Sequence, residues 1–238
     1  MINSVNYLGF SVLDMEYVDA RKYFNKGSIL TISPNSYGIT TKNRAFKKAL
    51  TRNGLLVLDG VYFGLGYFLK TGKRMHKNQG PEIFYKELLI QQRKGGKVFF
   101  LGSSVETLKK ITQRIKNEYP NIKYDSYSPP FKSEFDVQDN HSIFDRIVQF
   151  NPDVVFVGMT CPKQEIWVDE NTDKFRDILF IAIGGVFDWF AGNYKEINPI
   201  WWKLRIGWLV RMIQRPEIFK RNIKNILIYL KDMLNDSK

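Results

Sequence analysis

The chain has 238 residues and a net charge of +12, with 44% hydrophobic, 15% aromatic and 25% charged residues. That balance suits one α/β domain with a real core and excludes a disordered or collagen-like chain. A single cysteine, Cys161, excludes a disulfide scaffold and a cysteine-based zinc cluster, and two histidines, His76 and His141, argue against a conventional zinc site.

Taken in chain order, Ile29–Ser33, Leu55–Leu58, Lys97–Leu101, Asp153–Gly158 and Ile178–Ile183 read as strands, with Ile122–Tyr127 as a further candidate. The five are near-continuous apolar runs, the pattern of a sheet covered on both faces. Between them Ser36–Arg52, Glu82–Lys94, Val105–Glu118, Asn140–Phe150 and Gln164–Lys174 read as helices. The repeated βα order predicts a Rossmann-like α/β fold, a mostly parallel sheet flanked by helices. Residues 1–200 are expected to form the α/β domain and 201–238 a basic helical appendage.

Polar or glycine-rich clusters follow the strands: Ser33-Pro34-Asn35, Asp59-Gly60, Gly102-Ser103-Ser104, Gly158-Met159-Thr160 and Gly184-Gly185. Each alone is ordinary turn chemistry. Together they converge on one crevice, because open α/β sheets bind ligands beyond the carboxyl ends of their strands. Asp59, at such an end, has the placement of a general base. Pro162 suits a helix start, so Lys163 and Gln164 fall at a helix N-terminus, where backbone N–H groups favour anions, and Glu165 complements the dipole or caps the helix. Cys161 has no histidine partner in the pattern and reads as a small buried residue. Gly184 to Gly192 is glycine-dense beside Asp188, which suits close backbone approach to a ligand or tight packing with Asp188 as a cap. No phosphate-binding loop of the G-x-x-x-x-G-K-[ST] type, no G-x-G-x-x-G and no Asp-x-Asp pair is present. A nucleotide-diphosphate leaving group would then be stabilised by cationic side chains and helix N-termini, with no metal and no cofactor.

The excess of basic residues predicts an anionic partner: nucleic acid, anionic lipid or phosphorylated substrate. Residues 201–238 hold nine lysines and arginines against three acids, half of the whole net charge, interleaved with Trp201, Trp202, Trp208, Phe219 and aliphatic residues. Basic helices with aromatic anchors sit at lipid interfaces, although an amphipathic helix packed on the domain gives the same pattern. The first ten residues do not read as a signal peptide, and the longest uncharged apolar runs fall short of the roughly 18 residues of a spanning helix. The expected location is cytoplasmic, peripheral to the membrane.

These motifs, in their order and spacing, resemble the WecG/TagA/CpsF family of glycosyltransferases (glycosyltransferase family 26). The resemblance rests on Ser33-Pro34-Asn35, Asp59-Gly60, Leu101-Gly102, Pro120, Ser128-Pro129-Pro130-Phe131, Pro152-Asp153, Pro162-Lys163-Gln164-Glu165, Phe187-Asp188 and Ala191-Gly192. It continues through Lys195, Pro199, Trp208, Arg211, Pro216 and Arg221. It implies inverting, metal-independent transfer of a sugar from a UDP-sugar, N-acetylmannosamine, its uronic acid or a glucose type, to a polyprenyl-diphosphate-linked saccharide in cell-surface polysaccharide synthesis. Under it Asp59 matches the catalytic base, Asn35 a polar residue of the catalytic pocket, and Ser33 a position often held by threonine. Gln164 matches a pocket residue near the sugar. Arg211 and Arg221 match cations that close over the diphosphate and aid docking on an anionic membrane, and Arg74 matches an arginine after the second strand. Lys163, Gly102, Ser103, Gly184, Gly185 and Asp188 complete the expected substrate-binding set by strand-end placement. Departures fall at Glu196, Gly207 and Ile218. Two other classes stand beside this reading: a catalytically inactive scaffold of a polysaccharide assembly complex, and a basic nucleic-acid-binding protein, for which no recognisable module is present. Nucleic acid is not expected as a partner, and self-association into a homo-oligomer is left open.

Overall fold

The computed structural model describes residues 1–52, 54–194 and 216–235. A short antiparallel hairpin, β1 (Ser4–Tyr7) and β2 (Phe10–Leu13), leads to α1 (Tyr17–Arg21). The main sheet takes β3 (Gly27–Ile32), β4 (Leu55–Leu58), β5 (Lys97–Leu101), β6 (Lys123–Tyr127), β7 (Val154–Val157) and β8 (Leu179–Ala182) in the order β4-β3-β8-β7-β5-β6. Every pairing in it is parallel. All six strands therefore end on one edge, as the apolar runs predicted, and the sixth candidate strand is β6.

The helices are α2 (Pro34–Thr40), α3 (Arg44–Thr51), α4 (Val61–Thr71), α5 (Gly80–Lys94), α6 (Val105–Glu118), α7 (Val137–Phe150), α8 (Lys163–Asn171), α9 (Val186–Phe190) and α10 (Pro216–Asn235). Side chains alternate faces along each strand, and the core divides accordingly. Phe99, Leu101, Val155, Val157 and Phe180 pack on one face with Tyr37, Phe46, Trp167 and Tyr229. Val98, Phe100, Val154, Phe156 and Ile181 pack on the other with Phe84, Ile111 and Phe187.

Two readings change at element level. The single helix expected over Ser36–Arg52 is two, because Asn43 turns extended and caps α3, its side chain accepting from the Phe46 N–H at 2.9 Å. The helix α4 follows Asp59-Gly60 where only a turn was read. It is apolar nearly all round and carries Gly64 and Gly66, so it shows no clean 3.6-residue stripe. On the far face, α1 is bolted to α5 through a buried ion pair. Glu87 is fully buried and accepts from Tyr17 Oη (2.5 Å), Arg21 Nε (2.9 Å) and Gln91 Nε2 (2.6 Å).

The last helix is packed on the domain. Tyr229 is fully buried, stacks on Phe63 and donates its hydroxyl to the Tyr62 and Phe63 carbonyls at 3.0 and 3.1 Å. Tyr37 Oη donates to Asp232 at 2.9 Å. At Gly38 the helices α2 and α10 approach so closely that a Cβ would lie 2.5 Å from the Asn225 Cα. The basic face of α10, with Lys220, Arg221, Lys224 and Lys231, points outward. The tryptophans at 201, 202 and 208, Arg211, Arg215, Lys195, Glu196 and Pro199 lie outside the described residues.

Candidate active site

The carboxyl edge of the sheet opens into a cleft of about 450 Å³, within the range of small-molecule sites. Four strand ends build it. Thr31, Ser33 and Asn35 come from the end of β3, Asp59 from β4, Cys161, Gln164 and Glu165 from the turn after β7, and Gly184 and Gly185 from β8. Gln79, Gly80, Pro81 and Glu82, at the start of α5, close one side. Ile183, Val186 and Trp189 add the apolar wall.

Each polar residue is held by local chemistry. Ser33 is extended and caps α2 reciprocally: its hydroxyl accepts from the Ser36 N–H (3.3 Å) while its own N–H donates to Ser36 Oγ (2.7 Å). Asn35 Oδ1 accepts from Asn225 Nδ2 of α10 at 3.0 Å, so the last helix is tied directly to a cleft residue. Asp59 is half-buried, fixed by its backbone N–H donating to the Ile32 carbonyl at 2.9 Å, and Gly60 turns the chain at φ +89° into α4.

Gln164 and Glu165 form the floor. The Gln164 carbonyl oxygen accepts from the backbone N–H groups of Met159 (3.3 Å) and Gly184 (3.1 Å), clasping the ends of β7 and β8 together. Its amide nitrogen donates to Glu165 Oε1 at 2.8 Å. Those contacts fix the orientation of the amide, since only one assignment pairs both ends. Glu165 is 2% exposed, and its second oxygen has no hydrogen-bond partner. Burial raises its carboxyl above the ordinary range, the outcome for a carboxyl moved out of water. Burial first, and then the neighbouring Glu165, also push the Cys161 thiol up, which opposes its ionisation. The positive charge of Arg221 on α10 acts in the opposite direction on that thiol.

Of the expected site residues, Ser33, Asn35, Asp59, Gln164, Gly184 and Gly185 share this cleft. Others lie elsewhere. Lys163, next to Gln164, turns away, donating to the Lys132 carbonyl (2.6 Å) with its ammonium 3.4 Å from the centre of the Phe135 ring. Gly102 packs against Gly158 and Met159, and the Ser103 carbonyl accepts from Ser128 Oγ at 2.7 Å, beyond the lining residues. Asp188 accepts from Asn193 Nδ2 (3.1 Å) and Tyr194 Oη (3.4 Å). The Arg74 guanidinium stands 6.0 Å from the Phe68 ring centre, on the far end of α4. Arg221 is exposed, and Arg211 lies outside the described residues. Sequence reasoning passed over Gln79–Glu82 and Trp189. It read Glu165 as a helix cap and Cys161 as buried packing. Nothing in local sequence marks Gln79–Glu82, because α5 reaches the cleft only through the sheet order. Among the described residues no group of three or more histidines, cysteines or carboxylates stands together as a metal site.

The sequence profile described as the glycosyl transferase WecG/TagA/CpsF family matches residues 5–238. Among similar proteins is the N-acetylglucosaminyldiphosphoundecaprenol N-acetyl-beta-D-mannosaminyltransferase of Bacillus subtilis, 28% identical over 94% of this chain and 85% of its own length. The proteins of the same name from Bacillus spizizenii and Staphylococcus aureus strain MW2 are 26% and 28% identical, each over 89% of this chain and over 79% and 81% of their own lengths. With a parallel α/β sheet, a polar cleft at its carboxyl edge and a profile match over nearly its whole length, the chain belongs to the WecG/TagA/CpsF family of glycosyl transferases.

Proposed function

We propose that this glycosyltransferase moves an N-acetylhexosamine-type sugar from a UDP-sugar to a polyprenyl-diphosphate-linked saccharide, with inversion and without a metal. The observation that carries the reading is the placement of Asp59, Asn35, Ser33 and Gln164 around one cleft from three strand ends. The similar proteins are named for transfer of N-acetylmannosamine to N-acetylglucosaminyl-diphosphoundecaprenol, which supports the donor and acceptor classes.

The reaction is a single displacement. The Asp59 carboxylate takes the proton of an acceptor hydroxyl as its oxygen attacks the anomeric carbon. The bond from that carbon to the β-phosphate oxygen breaks on the opposite face, and its electron pair leaves with UDP. The first turn of α5, at Gly80 to Glu82, lines the cleft; Pro81 has no N–H, so the Gly80 and Glu82 N–H groups and the helix dipole are what this turn offers the diphosphate. Arg221 and Arg211 are assigned further positive charge for the diphosphate. Asn35 and Gln164 orient the sugar. Gly185 would meet nothing with an added Cβ, so the backbone there is open to a ligand. Residues 201–238 dock on an anionic membrane, bringing the cleft to a lipid-linked acceptor.

UDP release from a panel of UDP-sugars, with short-chain polyprenyl-diphosphate-linked GlcNAc and with or without EDTA, tests this. Acceptor-dependent, EDTA-resistant release that falls by orders of magnitude in Asp59→Asn is the expected result. Near-normal turnover of the variant would remove Asp59 as the base.

A further inference from the structure

The described surface carries one apolar face that the catalytic reading does not use. On α4, Tyr62, Leu65, Phe68 and Leu69 recur at helical spacing on one side, each between 39 and 65% exposed. The opposite side of α4 is spent on the core, with Phe63 and Tyr67 buried and Gly66 pressed against Tyr229 and Met233. The neighbouring helix α10 carries exposed leucines of its own. Its exposed Leu230 and Leu234 directly follow Tyr229 and Met233, the two residues seated on α4, and Leu227 lies one turn before.

The face is bordered by cations. Lys70, Lys73 and Arg74 stand at the carboxyl end of α4, and Lys220, Lys224 and Lys231 are interleaved with the leucines of α10. The acids on α10 are few: Glu217 opens the helix, and Asp232 accepts from Tyr37. A second copy of the chain would bring a like-charged face against this one, since the whole chain is at +12. An anionic bilayer complements both features, taking aromatic and leucine side chains at the headgroup boundary and lysines at the phosphates. No described helix is long and apolar enough to cross a membrane.

We infer that α4 is a membrane-contacting element in its own right: its Tyr62, Leu65, Phe68 and Leu69 stripe enters the interface of an anionic bilayer beside α10. The helix is about 16 Å long at 1.5 Å per residue and begins two residues after Asp59. Docking along it holds the cleft mouth at the lipid surface, where the diphosphate of a lipid-linked acceptor sits. The inference rests on the lipid-linked acceptor proposed above, and it adds α4 to the appendage as the contact.

Co-sedimentation with phosphatidylcholine vesicles, with and without a quarter of phosphatidylglycerol, tests it without reading turnover. Wild type should partition onto the anionic vesicles, and Leu65→Glu with Leu69→Glu should lower that partition at least tenfold. Thermal melts should match, and UDP release with a water-soluble short-chain acceptor should be unchanged. If release fails with wild type while vesicle binding holds, the catalytic reading falls and the docking inference stands. A label that does not depend on the double variant is Leu69→Cys in a Cys161→Ser background, carrying an environment-sensitive fluorophore. Quenching by shallow spin-labelled lipid is expected. Absence of quenching, or unchanged partition of the double variant, overturns the inference. So does a wild-type dimer in solution that the double variant converts to monomer, which would make the face an interface between copies.

Discussion

Replacing Gly38 with alanine should drive α10 away from the cleft. Gly38 sits inside α2, and a Cβ there would meet the Asn225 carbonyl oxygen and lie 2.5 Å from both its Cα and Cβ. Two carbons rest at about 3.5 Å or more, so one helix must yield by about 1 Å. The listener to that shift is Asn225 itself, whose side chain bonds Asn35 at 3.0 Å, and one turn earlier Arg221, whose charge reaches Cys161. Overpacking of this kind costs about 1–3 kcal/mol, or about 2–12 °C in melting temperature for a chain of this size. Misplacing a positioning group by about 1 Å costs up to about 100-fold in rate. Differential scanning fluorimetry and steady-state UDP release on a short-chain acceptor read both quantities. A variant that melts with wild type and turns over at the wild-type rate would refute the claim that the α2–α10 contact positions cleft residues.

Glu165→Gln should stabilise the protein increasingly as pH rises. Above its ordinary value of 4.5 the unfolded chain ionises this carboxyl, while burial raises the pKa of the folded one. The folded state then binds more protons, so wild-type stability falls with pH through the window between the two values. Glutamine keeps the bond from Gln164 and has no proton to lose, and urea melts from about pH 5 to about pH 8 should show the gap widening; a constant gap would mean the carboxyl ionises in the fold. Glu87→Ala should destabilise by about 3–5 kcal/mol, because it strands the buried Arg21 guanidinium. A loss under about 1 kcal/mol by denaturant titration would show that water reaches that pair.

The strand ends were legible in the sequence because they depend on chain order alone. Near-continuous apolar runs marked five strands, each with a polar cluster behind it, and the sheet does end on one edge. Glu165 was harder to read. Its neighbours Lys163 and Gln164 have the same polarity in sequence, yet successive helical residues point about 100° apart. One therefore reaches the Lys132 carbonyl, one clasps two strands, and one is buried without a partner for its second oxygen. The helix α4 escaped notice because both its sides are apolar, one for the core and one for the surface.

Sequence by itself determined the fold class, the carboxyl-edge location of the cleft, Asp59, Asn35, Ser33 and Gln164 as residues that line it, and the basic character of the last helix. Tertiary structure decided which strands are neighbours. It thereby brought the start of α5 into the cleft, left the Gly102–Ser103 turn outside its lining, and seated α10 on α2 and α4 through Tyr229. The physical reason is range. Alternation and turn chemistry are local and are written residue by residue, whereas strand order and helix docking depend on how distant apolar faces share one core.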